Sequence, residues 1–149
     1  MELQLTPTEM RDIEQLLKDY QPAQEALVSL KQRNGNFDAS FNQLWSERVG
    51  SPQNFGAEGK SLWQVTLKVL RQEICSNQGF RSKILDYNKN PGSASLLTGA
   101  IVYMVGLTTL PIDPAIATII VLYIVKVGLN IFCEYTEPVQ DREQSNTNP

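Results

Sequence analysis

The chain of 149 residues contains no histidine and only two cysteines, Cys75 and Cys133. Protein zinc and haem sites draw heavily on those residue types, so no metal or cofactor is expected. Without histidine the commonest general base is also missing. No nucleophile–base pair, phosphate-cradling glycine loop or metal motif is visible. Glu73, Lys83 and Asp86 remain as acid–base candidates. They sit on amphipathic helices at spacings that read as solvated surface pairs, so an enzyme is not expected.

Excess base is lacking too. There are 13 Lys and Arg against 16 Asp and Glu, a net charge of −3. Residues 1–89 carry eleven of each sign, and the tail from Glu134 onward carries four acids and one base. A nucleic-acid surface needs clustered base, so nucleic acid is not an expected partner. Period-two alternation is absent, which excludes strands and predicts an all-α fold. Met1-Glu-Leu-Gln-Leu lacks the charged and apolar regions of a signal peptide, and no cleaved leader is expected.

Charge is scarcest in one stretch. Between Lys89 and Asp113 lie twenty-three residues without a formal charge, and Lys126 alone interrupts the run from Asp113 to Glu134. A helix apolar all round is either buried in a core or facing lipid, and a small chain has little core in which to hide two. The reading is therefore a transmembrane helical hairpin over 93–135, with helices at about 94–110 and 114–135. The first spans about 26 Å, and Ala115 to Cys133 spans about 28 Å, against a hydrocarbon core of roughly 30 Å. Pro111 ends the first helix; Asp113 caps the second, with Pro114 at its first helical position.

The two hairpin helices carry different patterns. Ser95, Gly99 and Gly106 fall at spacings of four and seven, a small-residue edge suited to helix packing. Tyr123, Lys126, Asn130 and Glu134 form a polar stripe at spacings of three, four and four. A charge within a spanning helix faces a partner helix or a water path, or it snorkels to the headgroups. Both readings of Lys126 stay open at this level. Arg81, Lys83, Lys89 and Arg142 flank the hairpin while its turn has no base, so the positive-inside rule places both termini in the cytoplasm. With Cys75 on a soluble helix and Cys133 at the membrane edge, in a reducing compartment, a disulfide between them is not expected.

Ahead of the hairpin, the chain reads as a small cytoplasmic helical bundle over 1–49. Thr6-Pro7-Thr8-Glu9 is a capping box, and Met10, Ile13, Leu16, Leu17 and Tyr20 follow at helical spacing. Ala23, Ala26, Leu27 and Leu30 mark a second helix ending near Asn34-Gly35. A third starts near Asp38 with Phe37, Phe41, Leu44 and Trp45 inward. Residues 50–60 form a glycine-rich linker, and 61–89 an amphipathic helix pair with a helix beginning after Ser61. The polar tail, 136–149, is expected to be disordered.

The run PIDPAIATIIVLYIVKVGLNIFCE, preceded by LWQVTLKVLRQEICSNQGF, resembles small bacterial proteins with a C-terminal hydrophobic hairpin, some of them encoded in defence or conflict cassettes. The resemblance covers Leu62 to Glu134. It rests on Asp113-Pro114, Lys126-Val127-Gly128-Leu129 and Phe132-Cys133-Glu134. It implies an effector whose adaptor-like N-terminus receives a signal and whose hairpin acts on the bacterial inner membrane. The expected function is thus a membrane-inserting, oligomerising effector that permeabilises the bilayer; the alternative is an anchor or scaffold tethering a cytoplasmic partner. Expected partners are the lipid bilayer, further copies of the chain, and a cytoplasmic protein bound through residues 1–49.

Overall fold

A computed structural model describes residues 4–49 and 62–135, and of Val49 and Tyr135 the backbone alone. The expected linker at 50–60, the Ser61 cap and the tail at 136–149 lie outside the described residues. Within them the fold is all-α, as expected, with no strand. The helices are α1 (Pro7–Leu16), α2 (Gln24–Gln32), α3 (Phe37–Val49), α4 (Leu62–Ile74), α5 (Gln78–Lys89), α6 (Ala94–Leu107), α7 (Pro114–Val127) and α8 (Leu129–Tyr135).

Local chemistry sets most boundaries. The Thr6 hydroxyl accepts from the Glu9 N–H at 3.1 Å, and the Glu9 carboxylate accepts from the Thr6 N–H at 2.9 Å, closing the capping box. Gly35, at φ +83°, turns the chain between α2 and α3. There a Cβ would stand 2.3 Å from the Leu5 carbonyl oxygen, so no larger residue fits. Asn36, Asn77, Ser93 and Asp113 accept from backbone N–H groups three residues on, opening α3, α5, α6 and α7.

Helix α7 lies at the centre. It packs against α2, α3, α6 and α8, and Ala115 through Leu122, with Ile124, are all buried. Its apolarity on every side is explained by neighbours on every side. Helix α6 is different: Leu97, Ala100, Ile101 and Met104 are buried while Val102 is 55% exposed. Only one of the two apolar helices therefore has to be hidden, and the other helices together suffice to hide it.

This overturns the expected placement in a bacterial inner membrane. Among the described residues no helix is long and apolar enough to cross a membrane. Helices α6 and α7 have 14 residues each, about 21 Å, well short of the roughly 30 Å required. The expected helix at 94–110 stops at Leu107, capped by Thr108. The expected helix at 114–135 is divided by Gly128, whose φ of +99° turns α8 away from the α7 axis.

The same turn corrects the cysteine reading. Cys75, just past α4, and Cys133, on α8, form a disulfide with Cα atoms 5.8 Å apart. The contrary expectation placed Cys133 at a membrane edge; α8 instead folds back beside the end of α4.

If α7 is the core, its truncation should act on global stability. Ile120→Ala is expected to cost about 2–5 kcal/mol, read as a lower urea midpoint in circular dichroism. Ile131→Ala, at a side chain 47% exposed on α8, should cost under about 1 kcal/mol.

Candidate functional site

The polar stripe of the sequence is dispersed by the fold. Tyr123 enters an aromatic cluster, edge-on to Trp63 at 5.1 Å, Phe37 at 5.4 Å and Phe132 at 6.3 Å between ring centroids. Burial pushes its hydroxyl pKa up. Lys126 reaches back to α1, its Nζ donating to both Glu9 carboxylate oxygens at 2.8 and 2.9 Å. Asn130 and Glu134 are exposed on α8. The four do not form one face, because Gly128 rotates the last two away from the first two.

The turn between α6 and α7 is fastened on two sides. Asp113, besides capping α7, accepts from Arg48 of α3, which also donates to Glu25 of α2 at 2.7 Å. Glu73 of α4 accepts from the Thr108 hydroxyl at 2.6 Å, the Thr109 hydroxyl at 2.7 Å and the Thr109 N–H at 3.2 Å. Pro111 lies within this fastened turn and Pro114 starts α7. Glu73, which reads as a solvated surface acid in the sequence, is thus a cross-chain tie. Its partners lie 35 and 36 residues away, so local spacing carries no sign of them.

These ties titrate. Burial by itself would raise the Glu9 carboxyl, but the Lys126 ammonium and the Thr6 donors outweigh it and hold it below 4.5. For Glu73, burial is likewise outweighed, here by the hydroxyls of Thr108 and Thr109 and the Thr109 N–H. Glu25 is lowered by its bond to Arg48.

The small-residue edge of α6 does face outward. A Cβ added at Gly99 or Gly106 would meet nothing within 4 Å. Ser95 and Gly99 form part of the floor of an open groove of about 700 Å³, together with Thr98, Val102 and Tyr103. Its other walls are Asp19 and Tyr20, just after α1, and Lys83 of α5. Tyr103 is held by a bond from its hydroxyl to Asn77 Oδ1 at 3.1 Å. Gly79 makes room for it, since a Cβ there would lie 2.0 Å from that hydroxyl. The Lys83 ammonium sits 5.6 Å from the centre of the Tyr103 ring, a cation–π contact.

Neither Asp19 nor Lys83 has an ion-pair partner among the described residues. Ser95 and Gly99 stand out in the sequence as a small-residue edge and Lys83 as a base near the apolar run, but Asp19 and Tyr20 carry no sign that they meet them. Asp19 and Tyr20 come from a segment that reads merely as the end of a helix, and their approach to α6 is a tertiary event. Among the described residues no group of three or more metal-binding side chains converges.

The acid side of the stability profile follows from the carboxylates. Their folded pKa values lie below the unfolded value of 4.5. Their contribution is therefore complete above about pH 4.5 and is lost as pH falls through the folded values. Urea titrations at pH 6 and pH 3 should show this loss in the native chain. Glu9→Gln combined with Glu73→Gln should lower stability at pH 6 and leave a flatter profile below pH 4.5.

No family model, no curated protein and no solved structure matches this chain.

Proposed function

We propose that the chain is a non-enzymatic interaction module that pairs with a second copy of itself through the α6 groove. The observation that carries this reading is an open groove, with Ser95 and Gly99 in its floor, whose walls bring an acid and a base without ion-pair partners among the described residues. A two-fold contact sets each residue i of one copy against residue j of the other. Asp19 of one protomer can then meet Lys83 of its partner, twice per dimer, so the groove is complementary to itself. Ser95 and Gly99 let the two α6 backbones approach closely, and Val102 supplies exposed apolar area at the contact. Residues 1–49 contribute Asp19 and Tyr20, in keeping with an adaptor-like role for that region.

Sedimentation of the full chain over a concentration series tests the reading. Native protein should shift from monomer to dimer as concentration rises. Asp19→Lys or Lys83→Asp should weaken pairing by at least roughly tenfold through like-charge contact, and the double charge swap should restore it. Gly99→Ala should raise monomer stability by about 0.5–1 kcal/mol, since its Cβ meets open space in the monomer, yet weaken pairing. A chain that stays monomeric at every concentration, or a double swap that restores nothing, would overturn the proposal. Binding of an unrelated amphipathic peptide in the groove by a strictly monomeric chain would reassign it to a foreign helix and likewise refute self-pairing.

A further inference from the structure

The Cys75–Cys133 bond lies away from the groove, with a guanidinium beside it. Both cysteines are only partly buried, against the edge of the core. Beside them, Arg81 of α5 places a guanidinium nitrogen 3.8 Å from the Cys133 sulfur and 3.4 Å from the Cys75 carbonyl oxygen. No carboxylate pairs with Arg81 among the described residues. A guanidinium is always charged at accessible pH. Against a disulfide sulfur that charge meets no counter-charge, whereas against a thiolate it would form an ion pair.

We propose that Cys75–Cys133 is a thiol–disulfide exchange site for small thiols and dithiols, with Cys133 as the leaving sulfur and Arg81 as the residue that stabilises it. In the first step the thiolate of the attacking molecule bonds to the Cys75 sulfur. The Cys75–Cys133 bond breaks, and its electron pair leaves on Cys133 as a thiolate facing Arg81. In the second step the other thiolate of a dithiol attacks its own sulfur in the mixed disulfide. That closes the reagent's disulfide and expels Cys75 as a thiolate, which takes up a proton. Two electrons pass from the dithiol to the cysteine pair. Of the dithiol's two protons, one ends on Cys75 and one in solvent. The direction of attack follows from leaving-group chemistry, because the thiol of lower pKa departs faster, and a neighbouring Arg lowers a thiol's pKa. Arg81 acts through Cys133 and is therefore a positioning and charge-stabilising residue.

Two measurements on the full chain test this. Oxidised protein is first treated with reduced glutathione, quenched with acid and digested, and the mixed disulfide is located by mass spectrometry. The adduct is expected on Cys75; an adduct mainly on Cys133, or none while dithiothreitol also fails to reduce the pair, would overturn the proposal. Second, the thiolate absorbance of Cys133 is titrated in a Cys75→Ser background. Its midpoint is expected below the ordinary thiol value of about 8.5, to rise when Arg81→Gln is added, and to fall back with Arg81→Lys. Reduction of the intact disulfide by dithiothreitol should slow roughly three- to tenfold in Arg81→Gln. An unchanged midpoint would refute the role of Arg81 even if that variant were less stable, since a purely structural residue would not move the titration of one sulfur.

Discussion

Burial of α7 is the constraint on which the rest of this structure depends. Six large aliphatic side chains (Ile116, Ile119, Ile120, Val121, Leu122 and Ile124) are removed from water on that one helix. At about 1.5–3 kcal/mol each, their transfer is of the order of the whole net stability of a typical domain. A helix with that composition cannot remain at a surface. The other elements are arranged so that it does not: α2 and α3 cover one side, α6 another, and α8 folds back upon it. The amphipathic character of α1 to α5 follows from the same demand, since each contributes an apolar face to a shared cluster and leaves a polar face outside.

Polar ties fix how those covers sit. Several of them join a point on the α6–α7–α8 segment to an earlier helix: Lys126 to Glu9, Asp113 to Arg48, and Thr108 and Thr109 to Glu73. Others hold α2 to α3, where Gln43 accepts from Ser29 and Arg33, and the Cys75–Cys133 disulfide adds a covalent tie. Apolar packing has little directionality and tolerates rotation of a helix about its axis. Charge-assisted hydrogen bonds do not, because they are lost within about an ångström of displacement. Lys126 illustrates the division of labour. Its side chain, 22% exposed, sets the ammonium against a Glu9 carboxylate already held by the α1 capping box. One carboxylate thus both starts the first helix and receives the only charge carried by the central one.

Much of this was legible in the residues. The capping box at Thr6–Glu9, the Asp113-Pro114 start and the Pro111 stop are local chemistry, and helices begin and end where they indicate to within a few residues. The all-α class followed from periodicity alone. Two things were not legible. An apolar run without a polar face is equally suited to lipid and to the middle of a bundle, and the choice depends on whether enough amphipathic surface exists elsewhere in the chain to surround it. Here α6 needed no full enclosure, so the demand was half of what the two runs together suggested. Gly128 was the other decisive residue. Read in sequence it is one glycine in a long apolar helix, costing about 1 kcal/mol relative to alanine. In the structure its positive φ ends α7, redirects α8, separates Asn130 and Glu134 from Tyr123 and Lys126, and brings Cys133 to Cys75.

That single redirection also explains why the groove and the exchange site occupy different parts of the surface. Helix α6 is covered on its Leu97, Ala100, Ile101 and Met104 side by the elements that enclose α7, which leaves its Ser95, Gly99, Val102 and Gly106 side outward. Had α8 continued the α7 axis, Cys133 would lie about 9 Å beyond Val127 along it rather than beside Cys75 and Arg81. Instead α5 serves two neighbours through residues two apart, directions that diverge by about 200° around a helix. Lys83 stands over Tyr103 at the groove, and Arg81 stands beside Cys133. Two positive charges that read in sequence as one basic flank of a membrane segment are therefore assigned by helical geometry to two unrelated tasks.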